Sequence, residues 1–350
     1  MWRKRKLWVT LLAATLLLVG VDTIYWQIAE SSLQSNFALW LASQRVAGWT
    51  ASTGDLTRGG WPFAATLTVP TVRLKVGASN RQNAVSWSAD RLILRVGLFR
   101  PMVLGITPEG EQHLSLAGGP DLAFTAGRAR VTMPVQAAGA LPSWLQLTAS
   151  NLRVTSANAT DPATAWSVER LDAHFDLAPA AQASAPAIAV SLSADEIDPP
   201  GAIAHLLGPR IASFALEGAL DGPLPDSGPL GDRAAAWRDG GGSLEVRRLA
   251  LTWGPLALSG SVTLALDDEL QPMGAGTAHI IGYAETLDAL AAHGMLSRSA
   301  STAAKAVLSL LAHAPDDGSP PDVDVPLTLQ YRTLAMRQVP LFRLPELTWH

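Results

Sequence analysis

The chain has 350 residues, of which 48% are hydrophobic and 16% charged, with no cysteine and a formal net charge of -4. That composition excludes a disordered tail, a disulfide scaffold, a thiol enzyme and a cysteine-ligated metal or iron–sulfur centre. Mild acidity speaks against a nucleic-acid binder, and a charged fraction well below the usual ~25% leaves apolar surface to be buried or used.

Residues 1–6 hold a basic cluster, Arg3 to Lys6, and the apolar run Leu7 to Ala29 follows, interrupted only by Asp22. At 1.5 Å per residue such a run spans a ~30 Å hydrocarbon core. The segment 7–29 is therefore expected to be a transmembrane signal anchor, carried by Leu7, Leu11, Leu16, Leu17 and Leu18 and ending in an aromatic belt of Tyr25 and Trp26. Small residues at cleavage spacing are missing around Val19–Val21 and Gln27–Ala29, which favours a retained anchor over a cleaved signal peptide. The basic cluster keeps the N-terminus cytoplasmic and sends the rest of the chain outside.

Residues 30–48 are expected to form a juxtamembrane amphipathic helix, with Leu33, Phe37, Trp40 and Leu41 at helical spacing and Gly48 as its stop. From residue 49 the period changes to 2. Leu67 and Val69 alternate with polar residues, and Val72, Leu74 and Val76 continue out of phase across Pro70-Thr71, which marks a bulge or an edge. Alternation continues at Leu92–Val96, Leu145–Val154, Leu171–Leu177 and Ile188–Leu192. In 243–266 it slips by one residue at Arg247-Arg248, then runs unbroken from Leu256 to Leu266, and Val323–Tyr331 repeats it. Short helices are expected at Glu285–His293 and Ser301–Ala314, with a turn or two at Ala202–Leu207 and Arg233–Trp237. A sub-boundary within the exterior domain, 49–350, is expected near 221–242. The fold class is mainly β (α+β): large curled antiparallel sheet with a few covering helices. A sheet of so many strands twists or curls and leaves a concave apolar face to be covered.

Few residues point to chemistry. No phosphate loop, nucleophile elbow, zincin or dinucleotide fingerprint is present, so no nucleotide and no cofactor is expected. Asp172-x-His174-x-Asp176 puts a carboxylate, an imidazole and a carboxylate on one strand face ~7 Å apart, which a metal could use. The same three residues are also what the solvent face of an amphipathic strand contains, and that reading accounts for all of them. Asp267-Asp268-Glu269 reads as a hairpin turn. Asp195, Glu196 and Asp198 do too, and Asp316-Asp317 with Asp322 and Asp324 reads as a solvated acidic cluster. The 12 tryptophans are read as packing and girdle residues, or as the rim of an apolar channel.

The stretch GWTASTGDLTRGGWPF (48–63), following an anchor and an amphipathic helix, resembles a proteobacterial family known as domain of unknown function twenty-one twenty-five. LTWGPLALSGSVTLALDDELQPMG (251–274), the helices over 285–314, DVPLTLQ (324–330) and QVPLFRLPEL (338–347) are similar in kind and order. The resemblance covers most of the chain and implies no activity and no catalytic residues. Where that family tends to place Asp-Gly before its last strand, this chain has Tyr331-Arg332, so the final hairpin is expected to differ. The strand–turn–strand phrasing also loosely resembles AsmA-type envelope proteins, which implies one anchor and a curled periplasmic sheet that accommodates lipid.

The expectation is a single-pass bacterial inner-membrane protein with its bulk in the periplasm. It would not be an enzyme, and it would bind lipid or another hydrophobic envelope component in an apolar groove. The alternatives are a structural or assembly factor binding another envelope protein, and, last, a metal-dependent enzyme built on Asp172, His174 and Asp176.

Overall fold

The computed structural model describes residues 2–76, 85–116, 119, 121–136, 140–156, 164–178, 185–225, 228–313, 320–336 and 339–349; the side chains of 2–11, 13, 14, 18, 202, 205, 339 and 342 lie outside that description. The fold is mainly β with antiparallel pairing throughout, as its alternation predicts, and a few helices. It forms two compact units. The first holds residues 1–142 and 154–158, the second 143–153 and 159–350. The segment 221–242 falls inside the second unit, where it holds a short helix.

In the first unit a single helix, α1 (Trp2–Val46), runs unbroken through residues 29 and 30. Gly48 closes it in a left-handed conformation that glycine adopts at low cost, and the Trp49 N–H returns to the Gln44 carbonyl at 2.9 Å. The sheet follows: β1 (Thr50–Ser52), β2 (Thr57–Gly59), β3 (Ala64–Val76), β4 (Val85–Gly97), β5 (Arg100–Ser115), β6 (Asp121–Thr125) and β7 (Arg128–Pro134). β1 and β2 share one edge of β3, β4 takes the other, and β5 pairs with β4, β6 and β7. At the expected phase slip Thr71 has a φ of 52° and is skipped in the register, which passes from Pro70↔Arg91 to Val72↔Ala89. The opposed Asp90 is skipped as well, so neither strand gains a residue and this is not the expected bulge or edge; β3 and β4 change phase together, which keeps Leu67, Val69 and Val72 buried on one side with Ala89, Leu92 and Leu94. Leu67, Val69 and Val72 are at most 1% exposed, packed with Leu92, Leu94 and Val96 under Leu33, Phe37 and Leu41 of α1. Each such side chain contributes ~1.5–3 kcal/mol by leaving water.

α1 also carries polar ties to the sheet. The Trp26 indole N–H donates to the Gly59 carbonyl at 3.3 Å. Buried Glu30 lies 2.8 Å from Arg58 Nε without the alignment of a hydrogen bond, so that contact is one of charge, and the same guanidinium donates to Gln34. Glu30 thus faces protein at the point where the sequence places the exit from a membrane.

The second unit is a meander. β8 (Trp144–Ser156) is divided between the units at Arg153. β9 (Trp166–Leu177), β10 (Pro186–Asp198), β11 (Ile211–Asp221), β12 (Ser243–Trp253), β13 (Leu256–Leu266), β14 (Pro272–Ile281), β15 (Asp322–Gln330), β16 (Thr333–Met336) and β17 (Val339–Arg343) each pair with the next in chain order. Between them lie α2 (Gly201–Leu207), α3 (Leu230–Asp239), α4 (Tyr283–Ala292) and α5 (Arg298–Leu311). α5 begins earlier than expected because Ser297 caps it, accepting from the Ala300 N–H at 3.1 Å, and it ends before Ala314 because His313 bridges to Asp322. The hairpin at Tyr331-Arg332 keeps a two-residue loop, closed by Gln330↔Thr333, with φ of 49° and 61° at its two residues. The expected difference is therefore one of strain: non-glycine side chains occupy left-handed positions that Asn-Gly or Asp-Gly fills at less cost.

Two outcomes follow. Tyr331 is exposed, so Tyr331→Asn should stabilise the protein by about 0.5–1 kcal/mol, read as a raised Tm. Arg58→Ala leaves the Glu30 carboxylate under α1 without its charge partner and should cost about 1–3 kcal/mol in denaturant unfolding.

Candidate functional site

The register of the second unit aligns apolar side chains into four continuous rows across seven strands. The first runs Leu171, Ala194, Phe214, Leu251, Leu258, Ile280, Val323 from β9 to β15, and the second Ala173, Leu192, Leu216, Leu249, Gly260, Ala278, Val325. The third runs Phe175, Val190, Gly218, Val246, Val262, Gly276, Leu327, and the fourth Leu177, Ile188, Leu220, Leu244, Leu264, Gly274, Leu329. No hydroxyl, amide or charge occurs in any row. With strands ~4.8 Å apart and same-face neighbours ~6.8 Å apart, the face measures about 29 by 20 Å.

The rows stay in phase because of one bulge. Arg247 and Arg248 together oppose the single residue Ser261, and Arg247 is the extra residue against β11. Both arginines lie on the exposed side, near Glu245 and Glu217. Without the bulge Leu249 and Leu251 would point to the opposite face.

Among the described residues, only part of this face is covered. Tyr283 and Ala284 of α4 and Leu308 of α5, with Ala312, bury Val323 and Val325 at the β15 side. Of the apolar run of α5, Leu308 packs against this cluster, while Val307, Leu310 and Leu311 are exposed. Across β10 to β13 the apolar side chains of the third and fourth rows stay half-buried, and Leu244 is exposed. Glycines deepen this region. A Cβ on Gly274 would stand 2.0 Å from the Thr263 carbonyl oxygen and one on Gly276 2.3 Å from that of Ser261, so neither position admits a side chain.

The opposite face is polar and holds the metal candidates. Asp172 and Asp176 are exposed and His174 half-buried on β9; His174 Nε2 is 3.2 Å from Asp176 Oδ1, and its ring stacks on Trp144. No group of three potential metal ligands converges among the described residues. Asp267 Oδ1 accepts from the N–H groups of Glu269 and Gln271, the hairpin turn its sequence predicts. Asp195 meets Arg170, while Glu196 and Asp198 clamp Arg210 at 2.7 and 2.6 Å. The hydrogen bond to Asp198, then that to Glu196, holds the Arg210 guanidinium still further above its ordinary range. Asp322 and Asp324 flank His279, with 2.9 Å between His279 Nδ1 and Asp324 Oδ1; Asp316 and Asp317 lie outside the described residues.

Of the anchor residues, Leu16 and Leu17 are exposed, Tyr25 and Trp26 half-buried, and the side chains of Leu7, Leu11 and Leu18 lie outside the description. No helix among the described residues is long and apolar enough to cross a membrane. Several indoles serve packing: Trp237, Trp253 and Trp349 donate to the carbonyls of Asp221, Gly208 and Leu270. The apolar face was only half visible in the sequence, because β14, PMGAGTAHII, contributes glycine and alanine to it where a hydrophobic alternation is sought.

Replacing Asp172, His174 and Asp176 together by Ala should leave bound metal, by elemental analysis, at the level of the unaltered chain. Each change should move stability by no more than about 0.5 kcal/mol. A drop in metal stoichiometry would instead mark a metal site.

Neither a search of curated proteins nor one of solved structures finds a match to the chain. A family profile matches residues 26–345, from the tryptophan at which α1 first ties to its sheet to the segment after β17. The chain thus belongs to the family described as "Uncharacterized protein conserved in bacteria (DUF2125)".

Proposed function

We propose that the protein is held in a bacterial inner membrane by α1, with its bulk in the periplasm, and that the apolar face of the second unit accommodates the hydrocarbon chains of a lipid or lipid-like envelope component. The observation that carries the binding reading is the set of four rows without a polar side chain, left half-exposed over the glycines of β14. A face of that size is usually covered in a soluble protein. An occupant that meets no hydrogen-bonding side chain anywhere along it must itself be apolar over its length, as an acyl chain is. For the anchor, support comes from the basic cluster Arg3–Lys6 and from Leu12, Leu16, Leu17, Val19, Val21, Ile24 and Ile28, all exposed along α1.

A photoreactive phospholipid, with a diazirine in its acyl chain, tests this in membranes that hold the full chain. Labelled peptides should come from β11 to β14 as well as from α1. Val246→Glu with Val262→Glu puts two carboxylates in the third row and should cut labelling of β11 to β14 about tenfold, a loss of ~1.4 kcal/mol in affinity, with α1 labelling unchanged. Labelling confined to α1 would remove the lipid-binding reading, and a stable crosslink from β11–β14 to one envelope protein would replace it with an assembly role.

A further inference from the structure

The first unit has a second apolar feature, at one end of its sheet. Four turns and strand ends meet there. Gly60 accepts from the Ala64 N–H at 3.0 Å and opens the turn carrying Trp61 and Phe63. Leu98 donates to the Phe63 carbonyl at 3.1 Å, which sets the β4–β5 turn, with Phe99, beside it. Val135 donates to the Met102 carbonyl at 2.9 Å and brings the end of β7 alongside. The side chains at this rim are turned out. Trp61 is 53% exposed, Phe63 68%, Phe99 86% and Met102 73%. Residues 57–66 and 95–104 contain Arg58, Arg95 and Arg100 and no carboxylate, in a chain that is acidic as a whole.

α1 leaves the sheet at this same end. Arg45 of α1 donates to the carbonyl of Ala51, which pairs with Leu74, and Trp26 donates to that of Gly59, which pairs with Thr66. From Trp26 to Arg45 the helix rises about 28 Å, and β3 covers about 26 Å between Thr66 and Leu74, so the two run side by side in the same direction. Beyond the rim α1 continues from Tyr25 back to Leu7, about 27 Å, against a hydrocarbon core of ~30 Å. Trp26 stands at the level of the rim.

We infer that this rim, with Trp61, Phe63, Phe99 and Met102, is seated in the headgroup–acyl boundary of the bilayer that α1 enters. The inference rests on the anchor part of the proposed function and extends it from a tether to a second, sheet-borne contact. Aromatic rings and a thioether supply the apolar insertion, and Arg95 and Arg100 meet the anionic headgroups, Arg58 being held by Glu30. The docked helix fixes the height: the first unit does not hang on a flexible linker, because the residues that lead into the membrane are the same rigid helix that covers its core.

The absence of cysteine makes the test direct. Leu16→Cys, Phe99→Cys and His113→Cys, each exposed in the native chain, are labelled singly with an environment-sensitive fluorophore. The full chain is placed in nanodiscs of phosphatidylcholine and phosphatidylglycerol, with and without nitroxide-bearing lipid. The label at position 99 should lose about half of its emission to nitroxide lipid, as a group ~5–10 Å deep in the interface does. The label at position 16 should be quenched at least as strongly. The label at position 113, toward the other end of β5 and ~40 Å away along the strand, should not be quenched. Quenching at 16 with position 99 no different from 113 overturns the inference and leaves the anchor standing. No quenching at any position removes both. Equal quenching at all three also overturns it, since the whole sheet would then lie on the membrane.

Discussion

The second unit depends on the phase of a two-residue period. Along a strand every side chain belongs to one face or the other, and a shift by one residue exchanges them. β12 changes phase in its middle, at Arg247-Arg248, and a strand paired without interruption would turn half of its leucines to the polar side. The bulge absorbs the extra residue between two strands at once. From that follow the unbroken rows on either side, the seat of α4 and α5 over Val323 and Val325, and the segregation of every ion pair in the sheet's centre to the opposite face.

The two units use the same alternation to different ends. In the first, α1 lays Leu33, Phe37 and Leu41 over β3 and β4 and closes the core to water, leaving Leu67 and Val69 inaccessible. In the second, the covering helices are short and reach one side, and at Gly274 and Gly276 the adjacent backbone leaves no room for a side chain on the face. A protein under selection for packing alone gains from filling such a hollow, at roughly 0.8 kcal/mol per buried methylene. Keeping it half-empty sacrifices that stabilisation.

How much of this was legible depended on how loudly each residue speaks of its face. The strands at Leu171–Leu177, Ile188–Leu192 and Leu256–Leu266 were plain, because large aliphatics alternate with polar residues. The phase slips at Thr71 and Arg247 were visible too; the second is a bulge, the first a change of phase that β3 and β4 make together. β5 was not: Gly105, Pro108 and Gly110 interrupt its alternation, yet strands β4, β6 and β7 pair with it along most of its length. β14 was hidden for the opposite reason, since its residues on the apolar face are small. Asp172, His174 and Asp176 fall on one strand face, as their spacing requires, and that face is the polar one. The rim at Trp61, Phe63 and Phe99 could not be anticipated, because it is assembled from turns some forty residues apart and each aromatic, taken singly, reads as core.

The meander of the second unit also bears on how it can form. From β10 to β17 every strand pairs with its immediate predecessor, so each addition closes onto an edge that is already in place, most of them across short turns and the longest across the segments that carry α3 and then α4 and α5. Such a sheet has few long-range steps to wait for, and local topology of this kind folds faster than Greek-key pairings of equal size. A chain emerging from its N-terminus can extend it strand by strand in the order of synthesis, with one growing edge exposed at a time.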